Sequence, residues 1–176
     1  ISIPSQAAEI VTTSLLEHET VELAGLGARD SLRLEAGLCL YGQDIDATTS
    51  PVAAGLKWAM HTSRLSGGDK EGKFPGAEKI LSEISDGTEY KLVGFVPLGK
   101  APIRANTELF GHDSSSDKIG WITSGSFSPT LKHPIALGYV KKEYSSQGNR
   151  VNAQVRGKLL KIEVTQLPFV KKNFKK

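Results

Sequence analysis

Apolar residues recur along this chain at two different spacings, and the change falls about halfway. In the first half Ala7, Ala8, Val11 and Leu15 return at helical intervals behind Pro4 and Ser5. With Ser5 as a candidate N-cap, that spacing predicts an amphipathic helix over residues 6–18. The next apolar stretch is ambiguous. Leu32, Leu34, Ala36, Leu38 and Leu40 alternate as a strand would, yet Ala28, Leu32, Ala36 and Leu40 are also spaced by four. Asp30 and Ser31 can start a helix and Gly42 can end one, so a helix is the reading taken. A turn-rich stretch "QDIDATTSPVAAG" and the polar loop "SGGDKEGK" follow, and "FPGAEKILSEISDG" predicts a helix from Ala77 to Ile84, stopped at Gly87.

From there the pattern is β. "KLVGFV", "APIRA", "KIGWITSG", "IALGYV", "RVNAQVR" and "LLKIEVTQL" are short β-rich runs separated by Gly, Pro, Asn and Ser. Regular punctuation of that kind predicts an antiparallel barrel or sandwich. The fold class expected is therefore α+β, with an α+β part over residues 1–86 and an all-β part over residues 87–176. No internal repeat or low-complexity segment interrupts either part.

Composition narrows the picture. At 176 residues, 39% hydrophobic and 23% charged, the chain can bury a core without metal or disulfide staples. A single cysteine, Cys39, allows no intrachain disulfide and suits a reducing compartment, cytosol or organelle matrix. A net charge of +3 is far from the bias of a nucleic-acid binder, so no nucleic-acid partner is expected. No apolar run approaches the ~20 residues that span a membrane. The chain opens on "ISIP", alternating like a strand entered partway, which fits a processed mature protein and a cut inside a larger one equally well. At the other end Lys171, Lys172, Lys175 and Lys176 cluster, either as a solvated tail or as a landing patch for an acidic partner or polyanion.

Most candidate chemistry fails on inspection. Gly67, Gly72 and Lys73 stand in register for a phosphate loop, but Phe74 occupies the position that needs a hydroxyl, and no buried strand precedes it. A surface loop is the better reading, and ATPase chemistry is excluded. His18, His61, His112 and His133 are scattered, so no metal site is expected. Asp44 and Asp46 have the first spacing of a calcium loop without its later ligands. "TSGSFSP" is rich in hydroxyls but lacks the Gly-x-Ser-x-Gly elbow, and reads as a turn joining two strands. What remains is Arg29, Asp30, Arg33 and Glu35, charges threaded through small and leucine-rich sequence. They either pair internally, as buried charges must, or use the arginine fork on a planar ligand with acceptor groups.

The same stretch, "GARDSLRLEAGLCLYGQDID", resembles the T-protein family of the glycine cleavage system, the tetrahydrofolate-dependent aminomethyltransferases. "TTSPVAAGLKW", "FPGAEKIL", "APIRA", "IGWITSGSFSPTLKHPIALGYV" and "LPFVKKNF" follow in the family's order and cover nearly the whole chain. The resemblance implies the remainder of a mixed α/β folate-binding domain followed by an antiparallel β-barrel domain. Family members are longer, and these landmarks belong to their C-terminal half. The family's "GYTGEDG" segment with its folate-binding glutamate, and its catalytic aspartate, have no counterpart here, so this chain alone is expected to be catalytically silent.

The reaction implied passes a methylene carbon from the aminomethyl-dihydrolipoyl arm of the H-protein to tetrahydrofolate, with release of ammonia. Carried over by position, Arg29 matches the family's folate-pocket arginine. Phe174 falls where the family has a substrate-contacting tyrosine, keeping the ring and losing the hydroxyl. Asp30, Arg33 and Glu35 are expected to hold the segment in place. The lysine cluster would then assist encounter with folate's glutamate tail or with the H-protein, and the motif wording suggests the mitochondrial matrix, or the cytoplasm in a bacterium. Two other readings compete: the folate-binding tail of a dimethylglycine- or sarcosine-oxidising flavoprotein, and a non-enzymatic T-protein-like iron–sulfur assembly factor. The intact "ARDSLRLEAGLCLYGQDID" favours the transferase over both.

Overall fold

A computed structural model describes residues 1–111 and 117–171. The chain forms two compact units, Ile1–Asp30 and Ser31–Lys176.

The first unit holds a short 3-10 turn, Ser5–Ala7, leading into helix α1, Ala8–Leu16. The turn is capped by Pro4 and α1 by Ala7, neither through a side chain, so Ser5 is not the cap its type suggested. No residue of α1 is buried, and Ile10 is 73% exposed. Helix α2, Leu26–Glu35, begins in this unit and ends in the second.

The second unit is built around a closed barrel. Its strands are β1 (Tyr90–Pro97), β2 (Glu108–Phe110), β3 (Lys118–Ser128), β4 (His133–Lys141), β5 (Arg150–Val155) and β6 (Lys158–Thr165). They follow one another around it in the order β1-β4-β3-β2-β5-β6, and β6 returns to β1, with every pair antiparallel. Closure leaves none of these six strands with a free edge to template association with another chain. Inside lie Phe95, Leu109, Ile119, Ile122, Val140 and Ile162, each no more than 1% exposed.

Strand β4 is buried along nearly its whole length because both its faces are covered. Ala136 and Val140 point into the barrel, whereas Ile135 and Leu137 face outward onto Leu34 of α2. Leu92, Leu167 and Phe169 complete this outer core. Leu34, near the end of α2, is thus packed on the outer wall of the barrel.

The helix also stops earlier than the sequence suggested. Gly37, at φ +65°, takes the left-handed position, its N–H donating to Leu34 O while Leu38 N–H donates to Arg33 O. That pair of bonds is the Schellman termination. Helix α3, Ala77–Asp86, ends at Gly87 (φ +91°) as expected. Of the β runs read from sequence, "APIRA" forms no strand, and the short β2 was not foreseen. Residues 101–105 instead press backbone against β3, which buries Ile103 in the barrel core.

Candidate functional site

The charged stretch around α2 resolves into two arginines with opposite circumstances. Arg29 lies in the part of α2 that belongs to the first unit, and it is exposed. Its guanidinium makes no hydrogen bond or ion pair with any described residue. Arg33 is locked in the second unit: its side chain is 10% exposed and pairs with Asp44, whose side chain is fully buried, at 2.5 Å. A second arginine nitrogen donates to Ser124 Oγ at 3.0 Å.

Asp44 is the centre of this network. Its Oδ2 accepts from Arg33 and from Leu40 N–H at 2.8 Å. Its Oδ1 accepts from Thr123 Oγ1 and Ser124 Oγ, at 2.5 and 2.6 Å. Four donors fill the roughly four acceptor sites of a carboxylate, so Asp44 has none left for a ligand. Its role is to hold the loop after α2 against β3. Tyr139 on β4 adds a fifth tie, its hydroxyl donating to Asp44 O at 2.9 Å. Burial, reinforced by the charges of Cys39 and Asp44, pushes that phenol well above its ordinary range, so it stays a neutral donor.

Glu35 anchors the helix end in the same way. Its Oε1 accepts from Ser128 Oγ at 2.5 Å and Thr130 N–H at 3.0 Å, and its Oε2 from Thr130 Oγ1 at 2.7 Å. Burial alone would raise this carboxyl, but the bonds from Ser128 and Thr130 outweigh it and hold the pKa below 4.5. "TSGSFSP" is therefore no turn: most of it is strand, and Thr123, Ser124 and Ser128 are buried partners for acids on the other side of the interface.

A depressed carboxylate pKa makes stability depend on pH. Glu35 contributes its full share above the unfolded value, near 4.5, and loses it as pH falls through the folded value. Glu35→Gln should accordingly flatten the loss of stability below about pH 4.5, while costing stability at neutral pH. Urea midpoints measured from pH 3 to 7 on both proteins test this, and parallel curves would refute it.

Cys39 is half-buried, and its thiol is raised by burial and by Asp44, with Arg33 opposing. A raised thiol is a poor nucleophile and a poor cluster ligand. Among the described residues no group of three or more His, Cys, Asp or Glu could hold a metal ion. Nor, among them, is any helix long and apolar enough to cross a membrane. The loop at Gly67–Phe74 is turn structure without a phosphate-loop strand. Beside the Asp44 network, a hollow of about 290 Å³ opens against Thr48, Thr49, Trp121 and Tyr139. Trp121 stands 5.1 Å from Tyr90 and 5.4 Å from Tyr139, ring centre to ring centre, so aromatic faces form its wall.

Of the two residues the sequence singled out for ligand, Arg29 is exposed and its guanidinium bonds no described residue, and Phe174 lies outside the described residues, as do Lys172, Lys175 and Lys176. Asp44 was overlooked as a structural acid because its partners stand 79 and 80 residues away.

Comparison with known proteins gives the following. Residues 91–171 match the family described as the glycine cleavage T-protein C-terminal barrel domain, and residues 1–64 match the GCVT N-terminal domain. The mitochondrial aminomethyltransferase of Solanum tuberosum is 48% identical over 97% of this chain and 41% of its own length. That of Homo sapiens is 42% identical over 99% of this chain and 41% of its own. The chain thus spans about two fifths of the length of the curated relatives it matches. Among solved structures, the glycine cleavage system aminomethyltransferase T from Bartonella henselae superposes with a TM-score of 0.86 at 39% identity, over 96% of this chain and 45% of that one.

Proposed function

The chain belongs to the glycine cleavage T-protein family, and on that premise we propose that it serves aminomethyl transfer to tetrahydrofolate. In that reaction the carbon–nitrogen bond of an aminomethyl group breaks and ammonia leaves. The bond from the same carbon to a dihydrolipoyl sulfur also breaks, returning a thiol. Two new bonds join the carbon to folate nitrogens, giving 5,10-methylenetetrahydrofolate. The donor is the lipoylated H-protein, and the setting is the mitochondrial matrix, or the cytoplasm in a bacterium. The division of labour follows residues 1–86 as the folate-binding region and residues 87–176 as the barrel.

The observation that carries the reading for this chain is the contrast between its two arginines. Arg33 is spent on Asp44 and Ser124. Arg29 offers five N–H donors in a rigid plane with no described acceptor, the geometry that suits a flat ligand bearing carbonyl and carboxylate groups. Its work is to bind and orient, since fixing the acceptor nitrogen against the incoming carbon supplies much of the rate in a two-substrate transfer. The Asp44 and Glu35 networks fasten the second half of α2. Phe174 offers a ring for stacking but no hydroxyl.

Calorimetric titration with tetrahydrofolate, beside Arg29→Ala, tests the proposal. Saturable binding weakened about tenfold or more by the substitution is expected, as for loss of a hydrogen bond from a charged donor. Equal binding by both proteins, or none by either, would remove Arg29 from the folate site.

A further inference from the structure

Helix α3 and the segment after it leave two polar atoms unmet. Among the described residues, the buried side-chain oxygens without a hydrogen-bond partner are Glu83 Oε2 and Thr88 Oγ1. Both residues border the hollow of about 290 Å³ beside Trp121 and Tyr139. Thr88 is only 7% exposed. The ion pair of Glu83 with Lys79 is loose, at 4.0 Å, and uses the other carboxylate oxygen.

The neighbouring hydroxyls of the same hollow are engaged. Thr48 and Thr49 donate to Asp46, Ser50 Oγ accepts from Ala53 N–H, and Tyr139 donates to Asp44 O. Buried polar atoms are paired as a rule, so two orphans bordering one hollow call for a donor from outside the chain. A single water, about 30 Å³ of liquid volume, would leave most of the space unfilled.

The rest of the lining says what kind of donor fits. A carboxylate only accepts, and a threonine hydroxyl can accept, so both orphans suit an N–H group. Glu83 and Glu89 outnumber Lys79, which makes the hollow acidic in a chain whose net charge is +3. Tyr90, Trp121 and Tyr139 add aromatic surface, which attracts a cation within about 6 Å of a ring centre. The volume lies at the small end of ligand pockets.

We propose that this hollow binds a small organic cation, its ammonium N–H groups donating to Glu83 Oε2 and Thr88 Oγ1 and its apolar body lying against the rings of Tyr90 and Trp121. The site draws on α3, on residues 48–53 and on β1, β3 and β4, all in the second unit, whereas Arg29 lies in the first. Each reading can therefore fail without the other.

Proton–nitrogen correlation NMR of the isotope-labelled chain, titrated with benzylamine and followed at the Trp121 indole N–H, is the test. Benzyl alcohol is the uncharged counterpart, and Trp58, which does not border the hollow, is the internal reference. A saturable shift at Trp121 is expected, with benzyl alcohol binding at least about tenfold more weakly. Glu83→Gln should weaken benzylamine by about tenfold or more, as for loss of a charged hydrogen-bond partner. Lys79→Met removes the competing cation and should tighten binding. Thr88→Val should weaken it severalfold, while the thermal midpoint without ligand holds or rises, because the lost hydroxyl bonds nothing in the protein. Absence of a saturable shift would mean that water alone meets the two oxygens, and overturns the proposal. Equal affinity for benzyl alcohol, or weaker binding by Lys79→Met, overturns it too, since positive charge would then not be what the hollow recognises.

Discussion

Asp44→Ala is expected to destabilise the protein by about 3–5 kcal/mol, the cost of stripping one partner from a buried ion pair. The size follows from what is left behind. Arg33 keeps its charge at 10% exposure, and the hydroxyls of Thr123 and Ser124 and the N–H of Leu40 lose their acceptor together. Each was desolvated on the strength of that carboxylate, and each orphan adds to the penalty. With a urea m-value of about 1–3 kcal/mol/M, the unfolding midpoint should fall by at least about 1 M. Asp44→Asn should cost less. Its carbonyl can still accept from Arg33 and Leu40, and its amide can donate to hydroxyls that rotate to receive it. A midpoint for Asp44→Ala within error of the parent would show that the network is decorative, and the account of α2 as a pinned helix would fall with it.

Gly125→Ala should be comparably damaging for a steric reason. A Cβ at Gly125 would lie 1.8 Å from Ile103 O, a backbone atom with no rotamer to escape into. Relief requires residues 101–105 to move off β3, and they carry Ile103, which is 1% exposed inside the barrel. Overpacking of this kind costs about 1–3 kcal/mol where side chains can yield and more where backbone must. A loss of about 3 kcal/mol or greater is therefore expected in urea denaturation. Gly99→Ala is the matched control: nothing lies within 4 Å of its Cβ, and a change within about 0.5 kcal/mol is expected. If the two substitutions cost the same, the close approach of residues 101–105 to β3 is not real.

How much of this could be read from the chain depended on distance along it. β1, β3, β4, β5 and β6 were legible because each is long enough to display its pattern between turn residues. β2 was not, since three residues with a register shift between Leu109 and Phe110 carry no period. "APIRA" misled for the opposite reason: Ile103 between small and cyclic residues resembles a strand, but strandhood needs a hydrogen-bonding partner, and here the neighbour offers Gly125 and close contact instead. The helix at α2 was recognised, and its end misplaced by the choice of Gly42 over Gly37, which the local pattern alone does not separate. Both buried acids were visible as residues. Glu35 was expected to hold its segment in place, but the partners of neither could be read and the role of Asp44 was missed. Glu35 meets Ser128 across 93 positions and Asp44 meets Ser124 across 80, so no window of sequence contains either pair.

The last described stretch of the chain adds a consequence of its own. Val170 N–H donates to Glu35 O at 3.0 Å, while Leu167 covers Gly37 and Gly94. A helix terminus near the beginning of this unit is thus fastened by residues made only after every strand of the barrel. During synthesis that terminus waits, unbuckled, until the barrel beneath it has been made. Synthesis of the segment after β6, rather than completion of the helix, is the event that seats it.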